Sequence, residues 1–450
     1  MQQVTLLIGI VGSVLALILR PPRALVAYVA VLVWYPSYLT VQVGKADFSA
    51  GRIVIVFLFL RCLLSNRLRA EFTWSRLDTW VTLSVVVYVG MYFLTRPFSL
   101  ALENRSGFLM TTWTTYMVAR LIITNRKSLA GFVKGVGLIL APLAILGVVE
   151  SVTHRYFFLH LKVFRAWDTI LEDPTQIPLK WGLFGRAVGP FSHPIMFGMC
   201  FAMFLPLVWA LRRERGYWGH LAYAVSAALV AGALSSMSSN AWMAAIFAVL
   251  ILSIERHKGW VKPLLKGLAA GCVLVELVSN RRFYHVLLQY ANPVSGTWWQ
   301  RARLVDCAIE TVGEWWLLGY KGRDPGWGRK MGMGHTDVNN EFILAGVNYG
   351  IWGVFALCAV LVSAMRGLIQ LHRATDDAVL RSWAWAFATT IVVWIISFQG
   401  VSLFGQNIDL FYCLLGCIGS LAGFPTQRRT ARAQVQVCAR RQLVHQSSIA

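Results

Sequence analysis

The sequence predicts an all-α polytopic membrane protein of about 12 to 13 transmembrane helices, with two long loops on one face. Three observations predict it. Of 450 residues, 57% are hydrophobic and only 14% charged, and mean hydropathy is +0.58, whereas a soluble domain carries about a quarter charged residues. The apolar residues gather into runs of about 16 to 24, each long enough to cross roughly 30 Å of hydrocarbon as a helix. Runs such as 246–254 and 354–362 do not alternate polar with apolar residues as barrel strands do, so the spanning elements are helices.

The expected spans are 4–19, 24–42, 51–65, 77–95, 105–123, 128–152, 192–211, 217–235, 237–254, 260–279, 341–364, 382–399 and 404–423. The first three are the least regular, because Arg20-Pro21-Pro22-Arg23 forms a tight turn and Arg61 sits inside the third run. The chain thus divides into N-terminal helices within 1–152, a first outer loop at 153–191, central helices in 192–279, a large outer loop at 280–340, C-terminal helices in 341–423 and a basic tail at 424–450. No basic segment precedes the first apolar run and no small-residue cleavage site follows it, so no cleaved leader is expected.

Charge orients the bundle. Alternate short loops carry Arg20, Arg23, Arg67, Arg69, Arg76, Arg126, Lys127, Arg212, Arg213, Arg215, Arg256, Lys258, Arg366, Arg373 and Arg381, and the tail adds Arg428, Arg429, Arg432, Arg440 and Arg441. The short loops of the other face hold Lys45, Arg52, Arg96 and Arg105, so the first face and the tail are expected to be cytoplasmic. The formal net charge of +22 is spread over these topogenic loops rather than gathered on one surface, which argues against nucleic-acid binding. Of eight cysteines, Cys307 stands alone on the outer face, and no CxxC, HExxH or Walker-type spacing occurs. No metal or other cofactor is expected.

The two outer loops are basic against this topological bias. The first ends in Gly185-Arg186-Ala187-Val188-Gly189-Pro190-Phe191-Ser192-His193-Pro194, directly before a helix. The second holds Arg281, Arg282, Arg301, Arg303, Lys321, Arg323, Arg329 and Lys330 against Asp306, Glu310, Glu314, Asp324 and Asp337. An anionic ligand at the outer surface would account for them, since arginine presents a planar fork to phosphate oxygens. Pairing with nearby carboxylates or lipid headgroups is the plainer explanation for any single one. Glu150, Glu276, Gln399 and Asp409 lie near the outer ends of spans, where a polar group needs a partner or a role. Trp298, Trp299, Trp315, Trp316 and Trp327 suggest an interfacial belt, and Leu304, Cys307, Ala308, Val312, Trp315 and Trp316 share one face of a helix expected to lie on the membrane.

Three segments within about 100–420 resemble the O-antigen ligase and polysaccharide polymerase superfamily of bacterial envelope assembly. The first is Arg186-x-x-Gly189-x-Phe191-x-His193-Pro194; the second runs from Arg301-Ala302-Arg303-Leu304-Val305 through Ala308-Ile309 to Leu318-Gly319; the third is Asn339-Asn340-Glu341-Phe342-Ile343-Leu344 followed by Gly350-Ile351-Trp352-Gly353. The resemblance implies a GT-C-like glycosyltransferase of the bacterial inner membrane, with its site on the periplasmic or outer face. Its donor would be a glycan on undecaprenyl pyrophosphate, and transfer would be metal-independent and inverting. Arg186, Arg301 and Arg303 would bind the pyrophosphate; Asn339, Asp337 and His335 are the catalytic candidates; His193, Asn340 and Asp409 would support them. A flippase and a chain-length regulator of the same pathway are the implied further partners.

Two positions depart from the family pattern. Where the ligases carry a histidine this chain has Asn339, whose amide does not titrate near neutral pH. Ser238-Ser239-Asn240-Ala241 lacks the arginine that often follows serine in relatives. Polymerisation of lipid-linked repeat units into exopolysaccharide or O-antigen is therefore the first expectation. Ligation of a finished glycan to lipid A core or another acceptor is the second, and transport of an anionic solute is the alternative from another class.

Overall fold

Each expected span contains helix, because an apolar run of membrane length satisfies its own backbone only in that form, but not every span is helical throughout. The computed structural model describes residues 1–44, 46–165, 173–214, 216–290 and 298–424; Asp168 and Glu172 of the first loop, and the basic tail, lie outside them. In chain order the helices are α1 (Gln2–Ile18), α2 (Pro21–Trp34), α3 (Ala50–Leu64), α4 (Asn66–Ala70), α5 (Arg76–Thr95), α6 (Phe98–Leu109), α7 (Thr115–Ile122), α8 (Arg126–Thr153), α9 (Pro194–Ala210), α10 (Trp218–Ser235) and α11 (Ser239–Ser253). They continue as α12 (Val261–Val278), α13 (Phe283–Tyr290), α14 (Trp298–Glu310), α15 (Val312–Trp315), α16 (Trp327–Lys330), α17 (Glu341–Ala374), α18 (Ala378–Phe398) and α19 (Gln406–Phe424). Eight of these, α5, α8, α9, α10, α11, α17, α18 and α19, are long and apolar enough to cross a membrane. By helix length and hydropathy the chain is a multi-pass membrane protein.

The remaining expected spans are shorter or interrupted. The run expected to reach residue 42 stops being helical at Trp34, because Pro36 pushes Tyr35 to extended backbone (φ −114°, ψ 126°). The chain then forms a hairpin of β1 (Thr40–Val43) with β2 (Ala46–Ser49), in register Thr40 to Ser49. α6 starts at Phe98, earlier than expected, and passes through a π-helical turn, Met110–Thr114, into α7. Arg105 is tolerated there because its guanidinium lies 3.8 Å from the Tyr92 ring centroid and donates to the Tyr349 hydroxyl at 3.0 Å. Arg61, the charge within α3, donates to the Ala16 and Leu19 carbonyls and so completes the end of α1. α12 carries Lys262, Lys266 and Glu276 and buries no residue among those described.

α9 is the axis of the bundle. Almost every one of its residues is buried, including Phe197, Phe201 and Phe204, and α8, α10, α11 and α18 pack around it. A helix apolar on all sides belongs at a centre. α1, α2 and α3 pack on one another and reach the rest through α7 and α8. α17 runs antiparallel to α5, and its part beyond Gly350, residues 351–374, is about 36 Å long, enough to cross the hydrocarbon. Its polar end, with Arg366, Gln370, His372 and Arg373, extends past the apolar run that ends at 364.

α17 is also broken. Gly350 takes φ 68° and ψ −165°, a conformation open only to glycine. The break exposes backbone groups that the large loop answers: Tyr320 donates its N–H to the Val347 carbonyl at 2.8 Å, and the Ile351 N–H donates to the Trp316 carbonyl at 2.7 Å. Leu318-Gly319 and Gly350-Ile351-Trp352-Gly353, separate motifs in the sequence, thus form one joint. Around it the loop builds a small core of Leu304, Cys307, Ala308, Trp327, Met331 and Val347. The apolar face of α14 therefore packs on protein rather than lying on the membrane as expected. Val312 and Trp316, assigned to the same face, remain 46% and 49% exposed, since α15 is a new helix begun at Val312 after the break at Thr311.

Candidate functional site

The site is assembled on two connections at the face that bears the long loops: the α10–α11 turn at 235–240 and the α18–α19 segment at 399–405. The first loop reaches the α10–α11 turn. Glu150, at the end of α8, is 1% exposed and accepts three backbone N–H bonds, from Phe157 (3.2 Å), Val188 (3.1 Å) and Gly189 (2.8 Å). A buried carboxylate is tolerated because it is answered this way. Gly185 is tied to Ser151 through its N–H and its carbonyl, both at 2.8 Å, and the Ala187 N–H donates to the Ser235 carbonyl at 3.0 Å. Arg186 is thereby held between two fixed neighbours, with its side chain half-buried. Gly189 adopts φ 53°, and a Cβ there would stand 2.8 Å from the Phe197 ring, so the turn that follows the arginine depends on glycine.

The α18–α19 segment receives the other parts. Gln406 Nε2 donates to the Pro190 carbonyl at 3.2 Å, and Gln406 Oε1 accepts from the Ser37 hydroxyl at 3.1 Å. Asn340 caps α17 by accepting from the Phe342 and Ile343 N–H groups at 3.0 and 3.1 Å, and its Nδ2 turns toward Gln399 Oε1 at 3.3 Å. Glu341 Oε2 accepts the Leu403 N–H at 2.6 Å. Arg301 projects from α14 onto the same segment: a Cβ on Gly400 would lie 2.9 Å from Arg301 Nη1 and 3.0 Å from Asn240 Oδ1. Asn240 is itself fixed by donating to the Ser397 carbonyl at 3.1 Å. The absence of a side chain at 400 lets the guanidinium and the amide come close to the end of α18.

Three polar atoms in this junction are shielded from solvent and unanswered among the described residues, Arg301 Nε, Asn339 Oδ1 and the Ser397 hydroxyl. Burial pulls the Arg301 guanidinium below its ordinary pKa, and the nearby Asp337 carboxylate opposes that shift. Asp337 itself is exposed. Arg186 adjoins the residue tied to Ser235 at one end of the α10–α11 turn, and at the other end Asn240 Oδ1 and Arg301 Nη1 both lie close to the place a Cβ on Gly400 would take. Arg301, Asp337, Asn339 and Asn340 come together with Gln399 and Gly400.

The remaining site residues lie elsewhere. Arg303, two positions from Arg301 and so about 200° round the helix, faces away and pairs with Glu310 at 3.0 Å and Asp306 at 3.6 Å. His335 is exposed beside Asp324. His193 Nδ1 accepts the Ile195 N–H at 3.1 Å as the N-cap of α9. Asp409 is buried in the bundle, where it accepts the Tyr28 hydroxyl at 2.8 Å. Glu276 pairs with Arg282 at 2.7 Å at the end of α12. Gly400 and Gln406 escape a sequence reading, and Glu341 stands there only as a member of the third motif; the consecutive amides Gln406-Asn407 at the mouth of an apolar run were the available signal. The chain matches no known family and no curated protein.

Proposed function

We propose that the chain is a membrane glycosyltransferase that polymerises lipid-pyrophosphate-linked oligosaccharide units into a longer polysaccharide. One observation supports it above the others: in a single junction a guanidinium donor, Arg301 Nε, and an amide acceptor, Asn339 Oδ1, are withheld from water with no partner among the described residues. Leaving such a group unpaired costs about 1–3 kcal/mol. A phosphate oxygen answers the first and a sugar hydroxyl answers the second. Those are the two functions that a pyrophosphate-linked donor and a glycan acceptor bring.

In the proposed reaction the acceptor hydroxyl oxygen attacks the anomeric carbon of the donor. The bond from that carbon to the pyrophosphate oxygen breaks, and its electron pair leaves on the pyrophosphate, where Arg301 and Arg186 offset the growing charge. Asn339 Oδ1 accepts from a neighbouring hydroxyl of the acceptor sugar and so orients it; Asp337 receives the attacking hydroxyl's proton, and His335 is the second candidate base. Attack opposite the leaving group inverts the anomeric carbon. The charge bias supports a non-cytoplasmic orientation of this face and a cytoplasmic tail, and the resemblance implies a bacterial inner membrane with undecaprenyl pyrophosphate as the carrier.

With a finished glycan as donor and lipid A core as acceptor the same groups would perform a ligation; Asn339 in place of the ligase histidine favours polymerisation. The carrier-linked glycans of a deletion strain separate the readings. Accumulated single repeat units are the expected result, long carrier-linked chains would reassign the chain as a ligase, and an unchanged carrier pool would overturn both.

A further inference from the structure

A cavity of about 510 Å³ opens between α5, α17 and α19 on the face opposite the candidate site. Its wall is almost wholly apolar, with Trp80, Phe355 and Val362 prominent, and Arg76 and Arg366 line it as well. The two arginines belong at the same depth. α5 and α17 are antiparallel and meet where the Tyr88 hydroxyl donates to the Gly353 carbonyl and the Tyr88 ring stacks on Tyr349. From that contact Arg76 and Arg366 lie about 18 and about 20 Å along their helices toward the basic face. Both side chains are exposed, and neither enters an ion pair among the described residues.

We propose that this cavity is a binding site for an anionic phospholipid of the leaflet on the basic face, with an acyl chain in the apolar cavity and the headgroup phosphate between Arg76 and Arg366. An apolar slot of this volume suits a chain rather than a polar solute. Two unpaired guanidiniums at its mouth favour a headgroup with net negative charge, since a zwitterionic one brings a cation of its own to the same place. Gln370, on the same wall, is positioned to bond a headgroup hydroxyl. The lipid would wedge α5 against α17, the helix whose far end carries Asn340 and the Gly350 joint.

The test uses the purified full-length protein in phosphatidylcholine nanodiscs with rising phosphatidylglycerol of matched chains, followed by native mass spectrometry and thermal unfolding. Wild type is expected to retain phosphatidylglycerol preferentially and to unfold at a higher temperature with it. The double variant Arg76→Gln/Arg366→Gln should lose about tenfold or more of that preference while unfolding as wild type does in phosphatidylcholine alone. Ala359→Trp, which fills the cavity and leaves both arginines, should weaken retention of either lipid. Equal retention of the two lipids by wild type, or undiminished preference in the double variant, would overturn the proposal. So would a thermal shift reproduced by glycerol 3-phosphate alone, which would mark a site for a soluble anion.

Discussion

Arg120 and Arg301 are both shielded arginines with an aspartate nearby, at opposite faces of the bundle, and they are treated in opposite ways. Arg120, 5% exposed, donates to both oxygens of the fully buried Asp78 (Nε 3.0 Å, Nη2 3.2 Å), to the Thr73 carbonyl and to the Ser420 hydroxyl. Asp78 also accepts the Tyr116 hydroxyl and the Ser75 N–H and completes the capping box of α5. Four of the five guanidinium N–H groups and both carboxylate oxygens are thereby engaged. Arg301 lies with its Nη1 close over Gly400 and keeps a shielded Nε with no acceptor among the described residues. A buried charge whose hydrogen bonds are spent holds a fold together; one held in place by sterics, with donors in reserve, is prepared for a ligand.

That contrast can be broken or sharpened at several positions. Removing one half of the spent pair should have the largest effect: Asp78→Ala is expected to cost about 3–5 kcal/mol of stability, seen as loss of folded protein in membranes, with activity per folded molecule preserved. Arg301→Ala should do the reverse, lowering transfer about 10²- to 10³-fold at an unchanged thermal midpoint, whereas Arg303→Ala, on the other face of α14, should stay within about twofold of wild type. Comparable losses from both arginines would remove the distinction drawn here. Gly350→Ala should cost about 1–3 kcal/mol, because the new Cβ would stand 2.5 Å from the Leu317 carbonyl oxygen; the expected signature is protease sensitivity around 316–320.

The smallest effect is acid dependence of the large loop. Burial pushes Asp306 up, but hydrogen bonds from Tyr284 (2.7 Å) and His285 (3.0 Å) outweigh it and hold its pKa below the ordinary range. A carboxylate depressed in this way contributes stability above its unfolded pKa of about 3.9 and loses it as pH falls through the lower folded value. Proteolysis of the loop should therefore accelerate below about pH 4 in wild type, and Asp306→Asn should flatten that dependence while leaving the loop weaker at neutral pH.

The helices were legible in the sequence because lipid imposes a local rule: an apolar run must close its own hydrogen bonds, so composition alone places α5, α8, α17 and α18 within a few residues of their expected starts. The exceptions are equally local in part, since Pro36 ends α2 where its neighbour is forced extended. The candidate site was only half legible. Arg186, Arg301 and Asn339 stand out as residue types, but nothing in their own stretches says that Arg301 meets Gly400 while Arg303 turns to Glu310, or that Glu150 organises a turn nearly forty positions away. Those facts come from contacts between distant segments. By itself the sequence determined the class of the protein, the placement of its helices and the face on which its unusual charge collects. Tertiary structure alone decided that Arg301 keeps a shielded donor in reserve and that two glycine motifs form one joint at a broken helix. Burial and hydrogen-bond satisfaction are properties of the assembled bundle, and no single segment carries them.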